Sequence, residues 1–143
     1  MKRADNKVRV LFVCTHNSVR SQMAEGLLNG LYDDRYKARS AGTKPTRVSS
    51  YAVSAMKEIG INISGHRSKS IEEFRDIPFD YVVTVCDSAR ESCPLFPGVG
   101  EHLHRGFTDP GNVEGDEEKR MAAFRRARDE IKEWIEITFG REA

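Results

Sequence analysis

A turn from a buried strand into a helix constrains this chain more than any other feature. The apolar run 10–13 ends at Cys14, and five residues separate this cysteine from Arg20 and Ser21, which open a helical pattern. Inward-facing amides at a helix N-terminus favour a bound anion and a thiolate, and an arginine can hold two oxygens of an oxyanion. The turn predicts a nucleophilic cysteine in an oxyanion pocket. A structural cysteine beside a solvated arginine is the alternative interpretation.

Composition limits the classes of protein and partner. At 143 residues the chain is predicted to be a single domain spanning 1–143. Its 23 basic and 22 acidic residues give a formal charge of +1 without a long block of one sign, so no nucleic-acid tail is predicted. No apolar stretch approaches the roughly 18 residues of a membrane span. We expect a cytoplasmic protein without nucleic-acid or membrane partners.

The cysteine count favours reactive thiols over a disulfide framework or a metal site. There are three cysteines, at positions 14, 86 and 93, and no C-x-x-C pair. The four histidines, at 16, 66, 102 and 104, do not show helical ligand spacing. We therefore predict no metal site and no cofactor.

Strand patterns alternate with helix patterns along the chain. Strands are predicted at Val8–Val13, Lys37–Ala41, Phe79–Val85 and His102–Arg105. Helices are predicted from about Ser18 to Tyr32, from a cap at Ser49 or Ser50 to Gly60, at Ile71–Phe74, and from a cap at Asp116 to Gly140. This alternation predicts an α/β fold whose parallel sheet carries helices on both faces. Ligands of such sheets bind at the carboxyl ends of the strands, where Cys14 and Cys86 fall.

Apolar residues at helical spacing predict which face of each helix is buried. The predicted stripes are Met23, Leu27, Leu28 and Leu31 in the first helix, Val53, Met56 and Ile59 in the second, and Met121, Phe124, Ala127, Ile131, Trp134, Ile135 and Thr138 in the last.

Two further thiols follow the strongest strand. Cys86 ends the run Val-Val-Thr-Val, and Cys93 lies seven positions later, directly before Pro94. On a helix the two would share a face but lie about 10 Å apart, beyond the roughly 7 Å limit for bridging. A disulfide between them would require the segment to unwind, which Pro94 makes plausible. One buried and one incidental surface cysteine is the alternative.

Asp109 lies in the loop Gly-Phe-Thr-Asp-Pro before the last helix. A carboxylic acid on such a loop can protonate a leaving oxygen if it reaches the anion pocket. Alone, Asp-Pro is usually only a turn.

Together these motifs resemble the thioredoxin-coupled arsenate reductases. The resemblance rests on Cys14-Thr-His-Asn-Ser-Val-Arg20-Ser-Gln-Met-Ala-Glu-Gly, Ser40-Ala-Gly42, Val-Val-Thr-Val-Cys86 with Cys93-Pro94, and Gly-Phe-Thr-Asp109-Pro110. It covers nearly the whole chain. The resemblance implies the low-molecular-weight protein tyrosine phosphatase fold, a three-layer structure around a four-stranded parallel sheet. The Cys86/Cys93 pair separates the reductases from the phosphatases, which share the other motifs.

The resemblance also implies a role for each site residue. Cys14 would attack arsenate, or bind phosphate or sulfate as analogues, while Asp109 helps protonate the departing oxygen. The residues implied to bind the oxyanion are Thr15, His16, Asn17, Ser18, Val19, Arg20 and Ser21. Cys86 would next attack Cys14 so that arsenite leaves, and Cys93 would attack Cys86. Thioredoxin would reduce the last disulfide, although the sequence leaves glutaredoxin with glutathione open.

The sequence departs from this pattern at three positions. His16 stands where glycine is usual, in a loop position that often needs permissive backbone angles, and it can add positive charge near the anion. Val19 stands where a second loop cysteine is common. Some relatives bind potassium through residues matching Asn17, Glu25 and Ser40 with a further acidic group, whose place Lys69 takes here. We expect the Lys69 ammonium to replace the cation.

Three functions remain open at this point. Arsenate reduction is the leading hypothesis, with some phosphatase activity retained. The second is a phosphomonoester hydrolase that uses Cys14 as nucleophile and Asp109 as general acid. The third is a redox or oxyanion sensor, which would not be an enzyme.

Overall fold

The computed structural model describes residues 6–87 and 100–140. Four strands, which we label β1 (Val8–Cys14), β2 (Tyr36–Gly42), β3 (Tyr81–Thr84) and β4 (Glu101–His104), alternate with helices. The α-helices described are α1 (Arg20–Tyr32), α2 (Ser50–Lys57) and α3 (Glu117–Phe139), and two short 3₁₀ helices cover Ile71–Phe74 and Pro110–Asn112.

The four strands form one parallel sheet in the order β2-β1-β3-β4. Register places Cys14 opposite Gly42 on one side, and Val13 opposite Thr84 on the other. The carboxyl ends of β1, β2 and β3 therefore meet at one edge of the sheet, and the polar loops after them lie together. The predicted α/β fold with a four-stranded parallel sheet is confirmed.

Both faces of the central strand are covered. Successive side chains of a strand point to opposite faces, yet Leu11 and Phe12 are both fully buried. On one side an aromatic cluster forms where Phe139, near the end of α3, packs edge-on against Phe12, Tyr36 and Tyr81. Continuous burial explains why β1 is an unbroken apolar run.

The caps that the sequence predicted for the later helices are present. The Ser49 side chain accepts a hydrogen bond from the Ala52 N–H, and Asp116 accepts one from Lys119. Each satisfies an N–H group that has no partner within its helix. The α2 helix ends at Lys57, followed by a turn in which Gly60 has φ of +79°. The predicted end at Gly60 is therefore about one turn too long.

Three apolar-stripe assignments were wrong. Leu31 and Ile59 are 37% and 36% exposed, and Thr138 is exposed as well. Burial in α1 is continuous from Ser21 to Leu28, so Leu31 lies beyond the covered part of the helix. At the end of α3, Phe139 rather than Thr138 enters the core. A regular stripe fails where a helix end extends past the surface that it packs on.

Within residues 6–87 and 100–140, no helix combines the length and apolar character needed to cross a bilayer.

Candidate active site

The loop between β1 and α1 is held by its carbonyl groups. The predicted helix start near Ser18 was wrong, because α1 begins at Arg20 and residues 15–19 form the loop instead. The carbonyls of Cys14, Thr15, His16 and Ser18 accept hydrogen bonds from the N–H groups of Thr43, Lys44, Thr46 and Ser49, at 2.7–3.2 Å. The Asn17 carbonyl accepts one from Gln22 Nε2 at 3.1 Å. Every carbonyl from Cys14 to Ser18 thus has a partner on the outer side of the loop.

This arrangement turns the loop amides inward. The C=O and N–H of a trans peptide point in opposite directions, so an outward carbonyl directs the next residue's N–H into the loop. The Asn17 N–H follows this rule and lies 3.2 Å from Cys14 Sγ. A ring of inward N–H groups at the start of a helix is suited to binding an anion.

Asn17 and Gly42 allow the loop to turn this tightly. Asn17 has φ of +50°, a left-handed conformation that asparagine tolerates better than most residues. Its side chain donates from Nδ2 to Ser21 Oγ at 2.8 Å and accepts at Oδ1 from the Lys69 N–H at 2.9 Å. A Cβ at Gly42 would lie 2.6 Å from the Thr15 carbonyl oxygen. The loop therefore requires a residue without a side chain at this β2 position.

Cys14 is a buried free thiol with two hydrogen-bonding contacts. Its Sγ lies 2.8 Å from Ser21 Oγ in addition to the Asn17 N–H contact. Asn17 Nδ2 already donates to the Ser21 hydroxyl oxygen, which leaves the hydroxyl proton of Ser21 for the sulfur. Donors directed at the sulfur are what a nucleophilic thiolate needs.

Arg20 and Asp109 meet above the loop. Arg20 Nη1 donates to the Phe107 carbonyl at 3.1 Å, and Nη2 lies 3.5 Å from Asp109 Oδ2. A cleft of about 400 Å³ opens in front of the thiol. Its lining includes Cys14, His16, Ser18, Val19, Arg20, Tyr51, Asp109 and Phe124. The structure therefore brings the predicted nucleophile, guanidinium and acid together.

Cys86 lies beside the same loop but faces a second cleft. It is a buried free thiol whose Sγ lies 3.3 Å from Thr15 Oγ1. The second cleft is lined by Thr15, Arg20, Cys86, Asp87, Gly106, Phe107, Thr108, Asp109 and Asn112. Arg20 and Asp109 thus border both clefts. Cys93 and Pro94, with the predicted unwinding of their segment, fall outside the described residues.

A buried polar network supports the loop from below, and the sequence did not reveal most of it. Gln22 Nε2 donates to the backbone carbonyls of Asn17 and Arg67 and to Asn17 Oδ1, while its Oε1 lies 2.9 Å from His66 Nδ1. An amide oxygen only accepts, so His66 Nδ1 carries a proton. The sequence signal was a glutamine two residues after Arg20, and only the structure shows that this side chain is fully buried.

Lys69 lies where the sequence predicted that an ammonium would replace a potassium ion. Its Nζ donates to the Arg67 carbonyl at 2.9 Å and lies 3.8 Å from Glu25 Oε1, which also accepts from Ser40 Oγ at 2.5 Å. Burial lowers the pKa of Lys69, and the Glu25 carboxylate opposes this shift. Two of the candidate cation ligands, Glu25 and Ser40, are thus bonded to each other beside the Lys69 ammonium, and the third, Asn17, accepts a hydrogen bond from the Lys69 N–H. Replacement of the ion stays a prediction.

Neither of the departures within the loop, His16 and Val19, has a positive φ. Among residues 6–87 and 100–140, positive φ values occur outside glycine only at Asn6 and Asn17. His16 therefore does not require the permissive backbone that glycine would provide, contrary to our concern. Its side chain is exposed at the mouth of the first cleft, while Val19 is buried in its lining. In the same part of the chain, no group of three or more His, Cys, Asp or Glu residues could hold a metal ion.

Comparison with known proteins agrees with this geometry. Residues 9–139 match the low molecular weight phosphotyrosine protein phosphatase family. An arsenate reductase from Halalkalibacterium halodurans is 46% identical over 126 residues, which cover 88% of this chain and 91% of that protein. A solved arsenate reductase in the phosphate binding state superposes with a TM-score of 0.75 at 32% identity, covering 91% of this chain and 95% of that one.

A thioredoxin-dependent arsenate reductase from Corynebacterium glutamicum superposes with a TM-score of 0.67 at 27% identity. The match covers 98% of this chain and 66% of that longer one. Family match, identity and superposition all extend over most of the chain, and the family match includes Cys14 and Cys86. The chain therefore belongs to the low molecular weight phosphotyrosine protein phosphatase family, together with these arsenate reductases.

Proposed function

We propose that this protein reduces arsenate to arsenite, with Cys14 as nucleophile, Cys86 and Cys93 as successive resolving thiols, and thioredoxin as the reductant. One observation carries the proposal: Cys14 and Cys86 open onto two clefts that share Arg20 and Asp109. A phosphatase of this fold needs only the first cleft. The named relatives are arsenate reductases, which favours the enzyme hypotheses over the sensor.

In the first step Cys14 attacks arsenic. The inward amides of residues 15–20 and the Arg20 guanidinium bind the arsenate oxygens, and the sulfur forms a bond to arsenic as one oxygen leaves. Asp109 supplies a proton so that the oxygen departs as water. Arsenic remains pentavalent. Inorganic phosphate has the same tetrahedral shape and should bind here as a competitor.

The second step is the reduction. The Cys86 thiolate attacks Cys14 Sγ, so that a disulfide forms and the sulfur–arsenic bond breaks. Its electron pair stays on arsenic, which becomes trivalent and leaves as arsenite. Two thiols have together lost two electrons. Thr15 Oγ1, 3.3 Å from Cys86 Sγ, links the second thiol to the loop that carries the first.

Regeneration requires a third thiol and an external dithiol. Cys93 attacks Cys86, releasing Cys14 and forming a Cys86–Cys93 disulfide. Thioredoxin then reduces this bond through a mixed disulfide and becomes oxidised itself. The thioredoxin dependence of the Corynebacterium relative supports this donor. A cytoplasmic location, where free thiols persist, is part of the same proposal.

Oxidation of NADPH that depends on arsenate, measured with thioredoxin and thioredoxin reductase, tests this function. Cys86→Ser and Cys93→Ser should each lose multiple turnover by at least about a hundredfold, because the removed nucleophile has no substitute. Both should retain slow hydrolysis of an aryl phosphate, which needs only Cys14, Arg20 and Asp109. A parallel assay with glutaredoxin and glutathione identifies the donor. Full turnover of Cys93→Ser with thioredoxin alone would contradict the proposed relay.

Hydrolysis of phosphomonoesters is the second candidate, favoured by the family match and by the shape of the first cleft. Tyr51 and Phe124 line that cleft and stack with ring centroids 5.2 Å apart. An aromatic wall beside Asp109 suits an aryl leaving group. We expect this activity to accompany arsenate reduction and to persist in both cysteine variants.

A further inference from the structure

One peptide of the active-site loop directs its N–H group at the Cys14 sulfur. This peptide joins His16 to Asn17, and the Asn17 N–H lies 3.2 Å from Cys14 Sγ. The His16 carbonyl of the same peptide points the opposite way, as the trans geometry requires. The orientation of this peptide therefore decides whether a donor or an acceptor faces the sulfur.

The backbone of Asn17 does not favour this orientation. Asn17 has φ of +50°, in the left-handed region that L-residues adopt only at a cost. Rotating the peptide by about half a turn would bring this φ into the extended region, which almost every residue tolerates. The rotation would also turn the His16 carbonyl oxygen towards Cys14 Sγ, where it would repel a thiolate or a bound anion. Contacts from outside the loop must therefore hold the peptide against this flip.

Two donors bind the His16 carbonyl. The Thr46 N–H donates to it at 3.1 Å, and the Ser68 hydroxyl donates to it at 2.8 Å. The Thr46 N–H also lies 3.0 Å from Ser68 Oγ, so the hydroxyl accepts one hydrogen bond while it donates another. Only the hydroxyl belongs to a side chain. Ser68 is thus the residue at which a substitution can weaken the hold on this peptide.

The backbone that carries Ser68 is anchored to the same site. The N–H of the next residue, Lys69, donates to Asn17 Oδ1 at 2.9 Å. The Lys69 carbonyl accepts a hydrogen bond from the Gly42 N–H, at the end of β2, at 2.7 Å. Although the Ser68 side chain is partly exposed, its hydroxyl therefore reaches the loop from a backbone that is fixed to both the loop and the sheet.

We propose that Ser68 is a positioning residue, whose hydroxyl keeps the His16–Asn17 peptide in the orientation that directs its N–H at Cys14 and at the bound oxyanion. The reaction steps described above use neither Ser68 nor its hydrogen bonds. The effect on arsenate reduction rests on the proposed function. The orientation of the peptide and the binding of inorganic phosphate do not depend on it.

Three measurements on the full chain test the proposal. They are kcat/KM for arsenate and for an aryl phosphate, the Kd of inorganic phosphate, and the hydrogen-exchange rate of the Asn17 amide followed by NMR. Ser68→Ala should lower both kcat/KM values and raise the Kd of phosphate about three- to tenfold, the range for one lost hydrogen bond. The Asn17 amide should exchange at least about threefold faster, because the peptide opens more often.

Two further variants separate the hydroxyl from general effects of substitution. Ser68→Thr keeps a hydroxyl and should bring every value to within about twofold of wild type. Ser64→Ala is the matched control, because Ser64 Oγ donates to Asn62 Oδ1 at 2.6 Å on the exposed surface. It should change none of the values. All measurements are made well below the melting temperature of each variant, so that lost stability is not mistaken for lost positioning.

Unchanged phosphate affinity and unchanged Asn17 exchange in Ser68→Ala would overturn the proposal, as would a Ser68→Thr variant as impaired as Ser68→Ala. Equal losses in Ser64→Ala would overturn it too. Wild-type protein that binds phosphate but does not reduce arsenate would instead contradict the proposed function. In that case the Kd of phosphate and the exchange of the Asn17 amide still decide the role of Ser68.

Discussion

Cys14 and Cys86 are both buried thiols at the same edge of the sheet, but their surroundings differ. Cys14 lies in a loop whose carbonyls are all bonded on the outside and whose sulfur contacts Ser21 and an amide. Among residues 6–87 and 100–140, the Cys86 sulfur has one side-chain contact, to Thr15, and Cys86 lines a polar cleft. The Cys14 sulfur thus lies among hydrogen-bond donors suited to an anion of fixed shape, whereas the contact described for the Cys86 sulfur links it to that loop through a single hydroxyl.

The difference follows from what each thiol must do in the proposed reaction. A tetrahedral oxyanion is stabilised by donors that are already in place, so the Cys14 loop gains from rigidity. Cys86 must approach one sulfur and then be approached by another, so a single fixed position would obstruct one of the two steps. Substitutions in each region should therefore affect different reactions.

Gly42→Ala should have the largest effect, because it displaces the loop that holds Cys14. The new Cβ would lie 2.6 Å from the Thr15 carbonyl and 3.0 Å from the Asn17 nitrogen, both backbone atoms. We expect losses of about a hundredfold in kcat/KM for arsenate and for an aryl phosphate alike, since displacements near 1 Å at a reacting site have this cost.

Gly65→Ala is the matched control, because a Cβ there meets nothing within 4 Å. It should leave both activities unchanged. Equal losses in the two glycine variants, or a loss in Gly42→Ala confined to arsenate, would show that the loop is not the shared rigid element.

Thr15→Val should have an intermediate effect and should separate the two thiols. The substitution keeps the shape of the side chain but removes the hydroxyl that contacts Cys86. We expect disulfide formation in a single turnover to slow about five- to tenfold, the value of one hydrogen bond to a reacting group. Hydrolysis of an aryl phosphate should hardly change. Equal slowing of both reactions would mean that the hydroxyl serves Cys14 instead.

The response to potassium should be the smallest effect. With the Lys69 ammonium near Glu25, potassium should raise the melting temperature no more than sodium does at equal ionic strength. Lys69→Asp places a second carboxylate beside Glu25, and such a pair needs a cation. Potassium should then raise the melting temperature by about 2–4 °C. A selective potassium effect on the wild-type protein would refute the replacement of the ion by Lys69.

Local sequence signals predicted the fold well, and they pointed to side chains that the structure brings together at one edge of the sheet. Alternating apolar runs gave the parallel sheet, and the strand-to-helix turn gave Cys14 and Arg20. The errors arose where packing, not pattern, decides the outcome. Leu31 and Thr138 have the right spacing for a buried stripe, but the helix ends on which they lie are not covered.

The supporting residues were harder to predict, because their partners lie far along the chain. Gln22 bonds the backbone of Arg67, and Arg20 bonds the carbonyl of Phe107, 87 positions away. A backbone acceptor leaves no signature in its side chain. Likewise, the sequence does not indicate that His104 and Asp87 are partners. Their hydrogen bond forms because β4 lies beside β3 and Asp87 follows the end of β3.

The sequence by itself determined the order of strands and helices and the strand-to-helix turn that carries Cys14, because these depend on residues that are close in the chain. Only the tertiary structure decided that Arg20 and Asp109 border two clefts, that Gly42 must lack a side chain, and that Lys69 lies beside Glu25. Each of these depends on distances between segments that meet only when parallel strands align their carboxyl ends at one edge of the sheet.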